Sequence, residues 1–308
     1  MADIVISEHM ELSAVEDLSK DFDVLFDPDL VNKPDELKAA LKDARAILVR
    51  NLTQVRGDLL GAAENLSVVG RLGVGLDNID LDACAERNIQ VFPATGANTD
   101  SVAELVIGAL FALFRRAYHA TDQVLAGEWP RLTLGGREVQ GHHLGLVGFG
   151  AIARAVTIRV KPLGMTVSGY DPLIADDDPI WSELGVTTSS LENLLRSSDA
   201  VSLHVPLIDQ TRSMIDATAL ALMKPDAVLI NAARGGIVDE QALAIALKSD
   251  KLGGAFLDVF DVEPVKPGSV LEGAPNLILA PHIGAMTDES NVRVSFLTAN
   301  NVRNALNG

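Results

Sequence analysis

The sequence predicts an α/β protein with two parallel-sheet units, one ahead of a glycine-rich turn at Gly148-Phe149-Gly150 and one running on from it. Three observations carry this. Short apolar strands alternate with helical stretches through the first third of the chain. A strand buried on both faces runs straight into the glycine turn, and strand–helix alternation then resumes to the C-terminus. Fully apolar strands separated by helices are the pattern of a parallel sheet covered on both sides, and 308 residues are long for a single core.

In the first third, the strand candidates are Ile4–Ile6, Val24–Phe26, Ala46–Val49, Ser67–Arg71 and Gln90–Phe92, with helical stretches such as Pro34–Asp43 and Leu81–Arg87 between them. Asn98-Thr99-Asp100-Ser101-Val102-Ala103-Glu104 then introduces the apolar run Leu105–Phe114. Thr99 or Ser101 is placed to cap this helix, and Glu104 follows Ser101 at capping-box spacing. A helix this apolar is expected to be buried all round, between domains or subunits. At ten residues the run is too short to span a bilayer. The segment Gly127–Gly141 is polar and glycine-bearing, with Trp129 exposed, and reads as an extended arm.

Leu144–Gly148 is the buried strand, and Gly148-Phe149-Gly150-Ala151-Ile152-Ala153 reads G-x-G-x-x-A, the dinucleotide fingerprint. Small residues let the backbone turn tightly and approach a pyrophosphate. The helix that follows, Ile152–Leu163, offers its unpaired N–H groups and dipole to that anion. Thr166–Tyr170 is the next strand, and Asp171 ends it 21 residues beyond Gly150. A carboxylate there accepts bonds from ribose hydroxyls and repels a 2′-phosphate, which favours NAD over NADP. Further strands are Val201–His204, Ala227–Asn231, Ala255–Asp258 and Leu277–Leu279, and a last helix covers Asp288–Leu306. The loops after these strands share the carboxyl rim of the sheet, where ligands bind in such folds.

The totals exclude several classes. A formal net charge of −17 argues against nucleic acid or an anionic membrane surface as partner. The single cysteine, Cys84, rules out an internal disulfide and a cysteine-based metal site, and no metal is expected. Met1-Ala2-Asp3 lacks the basic start of a secretory signal, so the cytoplasm is the expected location.

Three rim loops carry groups with obvious tasks. Arg234 can hold a carboxylate bidentately and polarise a neighbouring carbonyl. His282 can exchange a proton with a carbinol or carbonyl oxygen. Glu263 can accept the other imidazole proton and so fix the tautomer. Each alone also suits a structural role: Arg234 as a surface cation, Glu263 as a turn residue before Pro264, His282 as a satisfied histidine. On successive loops of one nucleotide-binding sheet they suit hydride transfer at a carbinol carbon, with histidine moving the proton. His9, His119, His142, His143 and His204 have no such frame, although His204 can reach a cofactor through its loop with Val205 and Pro206.

The chain resembles the D-isomer-specific 2-hydroxyacid dehydrogenases along nearly its whole length. The matching motifs are Gly73–Asp80, Asn98–Glu104, Gly145–Ile152, Asn231–Gly235, Asp258–Pro264 and Pro281–Gly284. The resemblance implies that Arg234, Glu263 and His282 form the catalytic set and that the Val74 and Gly75 N–H groups bind the substrate carboxylate. It implies NAD contacts at Thr99, Ala151, Ile152, Asp171, Ala232, Arg234, Asp258, His282 and Gly284, to which the glycine fingerprint adds Gly148 and Gly150 and the rim loops add His204, Val205, Pro206 and Ala233. It further implies a discontinuous substrate-binding domain, 1–98 with 286–308, and an NAD-binding domain, 99–285. These would close about hinges near Asn98 and Ala285, in a homodimer formed through the apolar helix and arm. Ala153 in place of a third glycine and Leu105 in place of a frequent histidine are the departures.

Arg50, followed by Asn51, resembles the position where phosphoglycerate enzymes hold the distal phosphate, while a solvated strand-end arginine is the bland alternative. As a substrate contact it selects a second anion, giving substrates of the 3-phosphoglycerate or sulfolactate type. The competing functions are a hydroxypyruvate or glyoxylate reductase, a formate dehydrogenase, against which Glu263 counts, and an NAD(H)-sensing protein of the corepressor type.

Overall fold

The structure is a computed structural model and describes residues 2–116 and 120–308; His119 lies outside the described residues. The chain divides into two compact units, Met1–Asn98 with Ala285–Gly308, and Thr99–Gly284.

The first unit holds a five-stranded parallel sheet in the order β2-β1-β3-β4-β5. Its strands are β1 (Ile4–Ile6), β2 (Val24–Phe26), β3 (Ala46–Val49), β4 (Val68–Arg71) and β5 (Gln90–Pro93). Alternate side chains of a strand face opposite sides, and the cores obey this. Ile4, Ile6, Ala46, Leu48 and Val68 join one apolar cluster with α1 (Leu12–Leu18) and α12 (Asp288–Asn307). Val5, Ile47, Val49 and Val69 join the other, with α2 (Pro34–Leu41), α3 (Gly57–Ala62) and α4 (Leu81–Glu86). Cys84 is buried on α4, and burial pushes its thiol up, as befits a passive core residue. Gly70 explains how the C-terminal helix docks. A Cβ there would lie 2.8 Å from methyl carbons of both Thr298 and Val302, so only glycine lets α12 settle against β4.

The second unit holds a seven-stranded parallel sheet in the order β12-β11-β10-β9-β6-β7-β8. Its strands are β6 (His143–Val147), β7 (Thr166–Tyr170), β8 (Thr187–Thr188), β9 (Ala200–Leu203), β10 (Val228–Asn231), β11 (Gly254–Leu257) and β12 (Leu277–Leu279). The chain builds outward from β6 to β8, then crosses back to place β9 on the other flank of β6. That reversal between β6 and β9 is the switch point at which such sheets bind ligands. One face is covered by α5 (Thr99–Arg115), α7 (Ala151–Val160) and α8 (Pro179–Leu184). The other is covered by α9 (Leu191–Ser197), α10 (Ala217–Leu222) and α11 (Glu240–Lys248).

Two expectations are corrected. The helix α5 begins at Thr99 and buries Ser101 inside its first turn, so Ser101 is not its cap. Nor is α5 buried all round. Val102, Val106, Leu110 and Leu113 face the core, while Leu105, Ile107 and Phe111 stay half-buried and Gly108 is exposed. The short helix α6 (Thr121–Leu125), which ends on exposed Leu125, precedes the arm, and the arm itself carries exposed Trp129 and Leu132. It returns to the unit where Arg137 binds Asp226 at 2.7 Å and lies over the Phe114 ring. No described helix is long and apolar enough to cross a membrane.

Candidate active site

The fingerprint turn is held by backbone. Gly148 has φ +86°, and a Cβ on it would lie 2.8 Å from the His204 carbonyl, so the turn needs glycine for its dihedral and for its close approach to the end of β9. The Gly148 N–H donates to Tyr170 O at 2.8 Å, and the Phe149 N–H to Asp171 Oδ2 at 2.8 Å. Asp171 Oδ1 takes the Leu173 N–H at 2.9 Å. The turn and Asp171 are thus one hydrogen-bonded assembly at the switch point. Gly150 caps α7 without a side-chain bond, and a Cβ placed on it would meet open space. Open space over unpaired helix N–H groups is what a bound pyrophosphate requires. A cavity of about 580 Å³ lined by Tyr170, Asp171, Pro172 and Trp181 opens at the ends of β7 and β8, within the usual range of ligand pockets. The site fits a dinucleotide. Val205 is buried and Pro206 exposed after β9. The His204 ring bonds Ser202 Oγ at 3.0 Å, and burial pulls its pKa down to about 4, so it is a neutral structural imidazole.

The three expected chemical groups all follow strands of this sheet. After β10, buried Asn231 shapes the loop: its amide donates to Arg234 O at 2.9 Å and its Oδ1 accepts from the Ala233 N–H at 3.1 Å. Ala232, Ala233 and Arg234 are half-buried here, and Arg234 Nη1 also reaches Ala233 O at 2.6 Å. After β11, Glu263 Oε1 accepts the Phe260 N–H at 3.1 Å, and its Oε2 meets His282 Nδ1 at 2.8 Å. The two loops are tied where Gly236 N–H donates to Asp261 Oδ1 at 2.8 Å.

After β12, His282 occupies the left-handed region with φ +56°. Asp258 holds it there. Its buried carboxylate accepts Ile283 N–H at 2.8 Å and Gly284 N–H at 2.7 Å, one per oxygen. Burial raises the Asp258 carboxyl, and those two N–H bonds oppose the rise. With Nδ1 facing a carboxylate, His282 carries a proton on that nitrogen, which leaves Nε2 for a reacting oxygen.

In the first unit, neither Val74 nor Gly75 donates its N–H to any described residue, and Val74 is exposed. Arg50 sits at the end of β3, half-buried, and none of the ion pairs among the described residues uses it. Burial lowers its pKa, and the charge of Glu8 opposes this. Glu8, itself buried, spends both oxygens on the loop behind Arg50, accepting the N–H groups of Arg50, Leu52 and Thr53 at 2.9, 3.1 and 2.9 Å. Asn51 is exposed and Thr99 half-buried. Asn231 and Glu8 act wholly through backbone N–H and C=O groups, and so left no residue-type signal in the sequence beyond a polar residue next to a strand.

The family model for the D-isomer specific 2-hydroxyacid dehydrogenase NAD binding domain matches residues 107–284. The (S)-sulfolactate dehydrogenase of Chromohalobacter salexigens is 53% identical over 306 residues, covering 99% of each chain. The D-3-phosphoglycerate dehydrogenase of Methanocaldococcus jannaschii is 40% identical over 89% of this chain, which spans only 52% of that relative's length. Among solved structures, the D-lactate dehydrogenase of Aquifex aeolicus complexed with NAD and lactic acid superposes with a TM-score of 0.87 at 30% identity, covering 99% of this chain and 95% of that one.

Proposed function

This chain belongs to the D-isomer-specific 2-hydroxyacid dehydrogenases and is an NAD-dependent oxidoreductase, and we propose that its substrate pair is sulfolactate and sulfopyruvate, or a closely similar acid with a second anion. The carrying observation is Arg50, a half-buried guanidinium with no carboxylate partner, in a chain 53% identical end to end to a sulfolactate dehydrogenase. An arginine that makes no ion pair with the described residues and donates only to neutral oxygens favours an anionic ligand. Stereochemistry supports the same choice. Sulfur outranks carboxyl oxygen, so replacing a methyl hydrogen of D-lactate by sulfonate changes its descriptor from R to S without moving a group. An S sulfolactate therefore has the D arrangement.

NAD, when bound, supplies the hydride acceptor for the carbinol carbon. In our reading the residues with which the chain would hold it are Thr99, Gly148, Gly150, Ala151, Ile152, Asp171, His204, Val205, Pro206, Ala232, Ala233, Asp258 and Gly284. Arg234 orients the substrate carboxylate, aided by the free N–H groups of Val74 and Gly75. His282 Nε2 removes the hydroxyl proton in oxidation and returns it to the carbonyl oxygen in reduction. Glu263 steadies the imidazole through Nδ1. The unit containing Met1–Asn98 serves the substrate, with Asn51 beside Arg50, and the unit Thr99–Gly284 serves NAD. We further propose a cytoplasmic homodimer.

The test is the initial rate of NADH oxidation with sulfopyruvate, phosphohydroxypyruvate, hydroxypyruvate and pyruvate, for the wild type and Arg50→Leu. We expect sulfopyruvate to lead in kcat/KM and to lose that lead in the variant. A wild type that turns over pyruvate as efficiently as sulfopyruvate overturns the substrate assignment.

A further inference from the structure

Arg50 does not stand alone at the end of β3. Its Nη1 donates to Asn291 Oδ1 at 3.1 Å and to His9 O at 3.4 Å. The amide of Asn291, in the first turn of α12, also reaches His9 Nε2 at 3.4 Å. An arginine can only donate, so the amide atom facing it must be oxygen. The amide nitrogen, a pure donor, then faces His9, whose Nε2 must be the acceptor. A neutral imidazole accepting at Nε2 carries its proton on Nδ1. Arg50 therefore dictates the tautomer of His9 through Asn291. His9 is exposed, and its main-chain oxygen lies on the Arg50 guanidinium.

We infer that His9 is a second, neutral donor for the distal anion of the substrate and that Asn291 is the positioning residue joining it to Arg50. The inference rests on the second-anion reading of Arg50. It adds a substrate class: one formal positive charge with one neutral donor matches a singly charged, acceptor-only group such as a sulfonate. A phosphate dianion carries a second charge that this group leaves unmatched. The nearby carboxylate, Glu8, is already spent on three backbone N–H groups.

Two measurements test this. The first is the nitrogen-15 NMR signature of the His9 ring in the ligand-free protein at alkaline pH. We expect the Nδ1–H tautomer in the wild type and the Nε2–H tautomer, favoured by free imidazoles, in Asn291→Leu. The Nε2–H form in the wild type overturns the inference and leaves the Arg50 reading untouched. The second is the kcat/KM ratio of sulfopyruvate to pyruvate. We expect His9→Leu to lower it by about tenfold or more, as for loss of a hydrogen bond to a charged group, with the loss in KM, and His9→Gln to restore part of it. A ratio unchanged in His9→Leu but lost in Arg50→Leu overturns the role of His9 alone. A ratio unchanged in both overturns the second-anion reading with it.

Discussion

His282 occupies a backbone conformation, φ +56°, that most side chains avoid but that asparagine, like histidine, adopts more readily than they do. That separates its two functions. In His282→Asn we expect the unfolding free energy to stay within about 0.5 kcal/mol of the parent and kcat to fall by about 10²–10⁴, the usual worth of a general acid–base. Urea titration and initial rates report the two independently, and a variant keeping more than a tenth of the parent kcat removes His282 from the acid–base role. Glu263→Gln asks a finer question. A glutamine oxygen can keep the Phe260 N–H, but its amide nitrogen then faces Nδ1 and forces the proton onto Nε2. We expect kcat for hydroxyacid oxidation to fall steeply with NADH binding retained, and unchanged oxidation would show that the carboxylate does not set the tautomer. That Arg234, Glu263 and His282 follow strands of one sheet was legible in the sequence, because strand–loop alternation fixes which loops lie at the carboxyl ends of the strands. Glu8, Asn231 and the His9–Asn291 link were not. His9 reads as bland in one dimension because its partner is 282 residues away on the last helix.

Elements were legible wherever burial was two-sided. The strands around Ile4, Ala46 and Val228 lie within a residue of where the apolar runs put them, because a strand covered on both faces writes itself as a nearly unbroken hydrophobic word. β8 escaped notice because an edge strand of two threonines has no such pattern. The capping motif misled at Ser101, since a hydroxyl inside a buried first turn has the same spacing as one that caps it. Gly70 is the kind of position that only packing exposes. Gly70→Ala should destabilise the protein by about 1–3 kcal/mol, the usual cost of overpacking, because methyl carbons of Thr298 and Val302 lie 2.8 Å from the new carbon. An unchanged urea midpoint would show that α12 yields freely. β9 offers a pH-dependent counterpart. The unfolded chain protonates His204 near its ordinary 6.5, while the buried ring resists until about 4. Its contribution is therefore fully present above 6.5 and lost as pH falls through that window, at up to about 1.4 kcal/mol per unit. Asp258, raised by burial, acts in the opposite sense, so the readout is the difference between the wild type and His204→Gln. The variant should have the shallower stability slope between these limits, and equal slopes would mean that the ring charges freely in the folded state.

At the scale of the whole molecule two forces compete over association. Leu125 at the end of α6 and Trp129 and Leu132 in the arm are exposed, the last two 73% and 101% accessible, and α5 leaves Leu105, Ile107 and Phe111 half-open. Apolar surface of this kind is stabilised by being covered, and the occupant we propose is a second copy of the chain. Each copy, however, carries a formal charge of −17, so bringing two together costs Coulomb energy that falls as salt shortens the screening length from about 10 Å at 0.1 M to about 3 Å at 1 M. The signs then fix the outcome. Higher salt weakens the repulsion and leaves or strengthens the apolar term, so the dimer Kd measured by sedimentation equilibrium should decrease from low to high sodium chloride. Trp129→Ser with Leu132→Ser should raise Kd at every salt concentration while leaving the slope against salt largely intact, because the charge is unchanged. A Kd that rises with salt would mean that ion pairs rather than apolar burial hold the copies together. A double variant that dimerises like the parent would place the interface away from the arm.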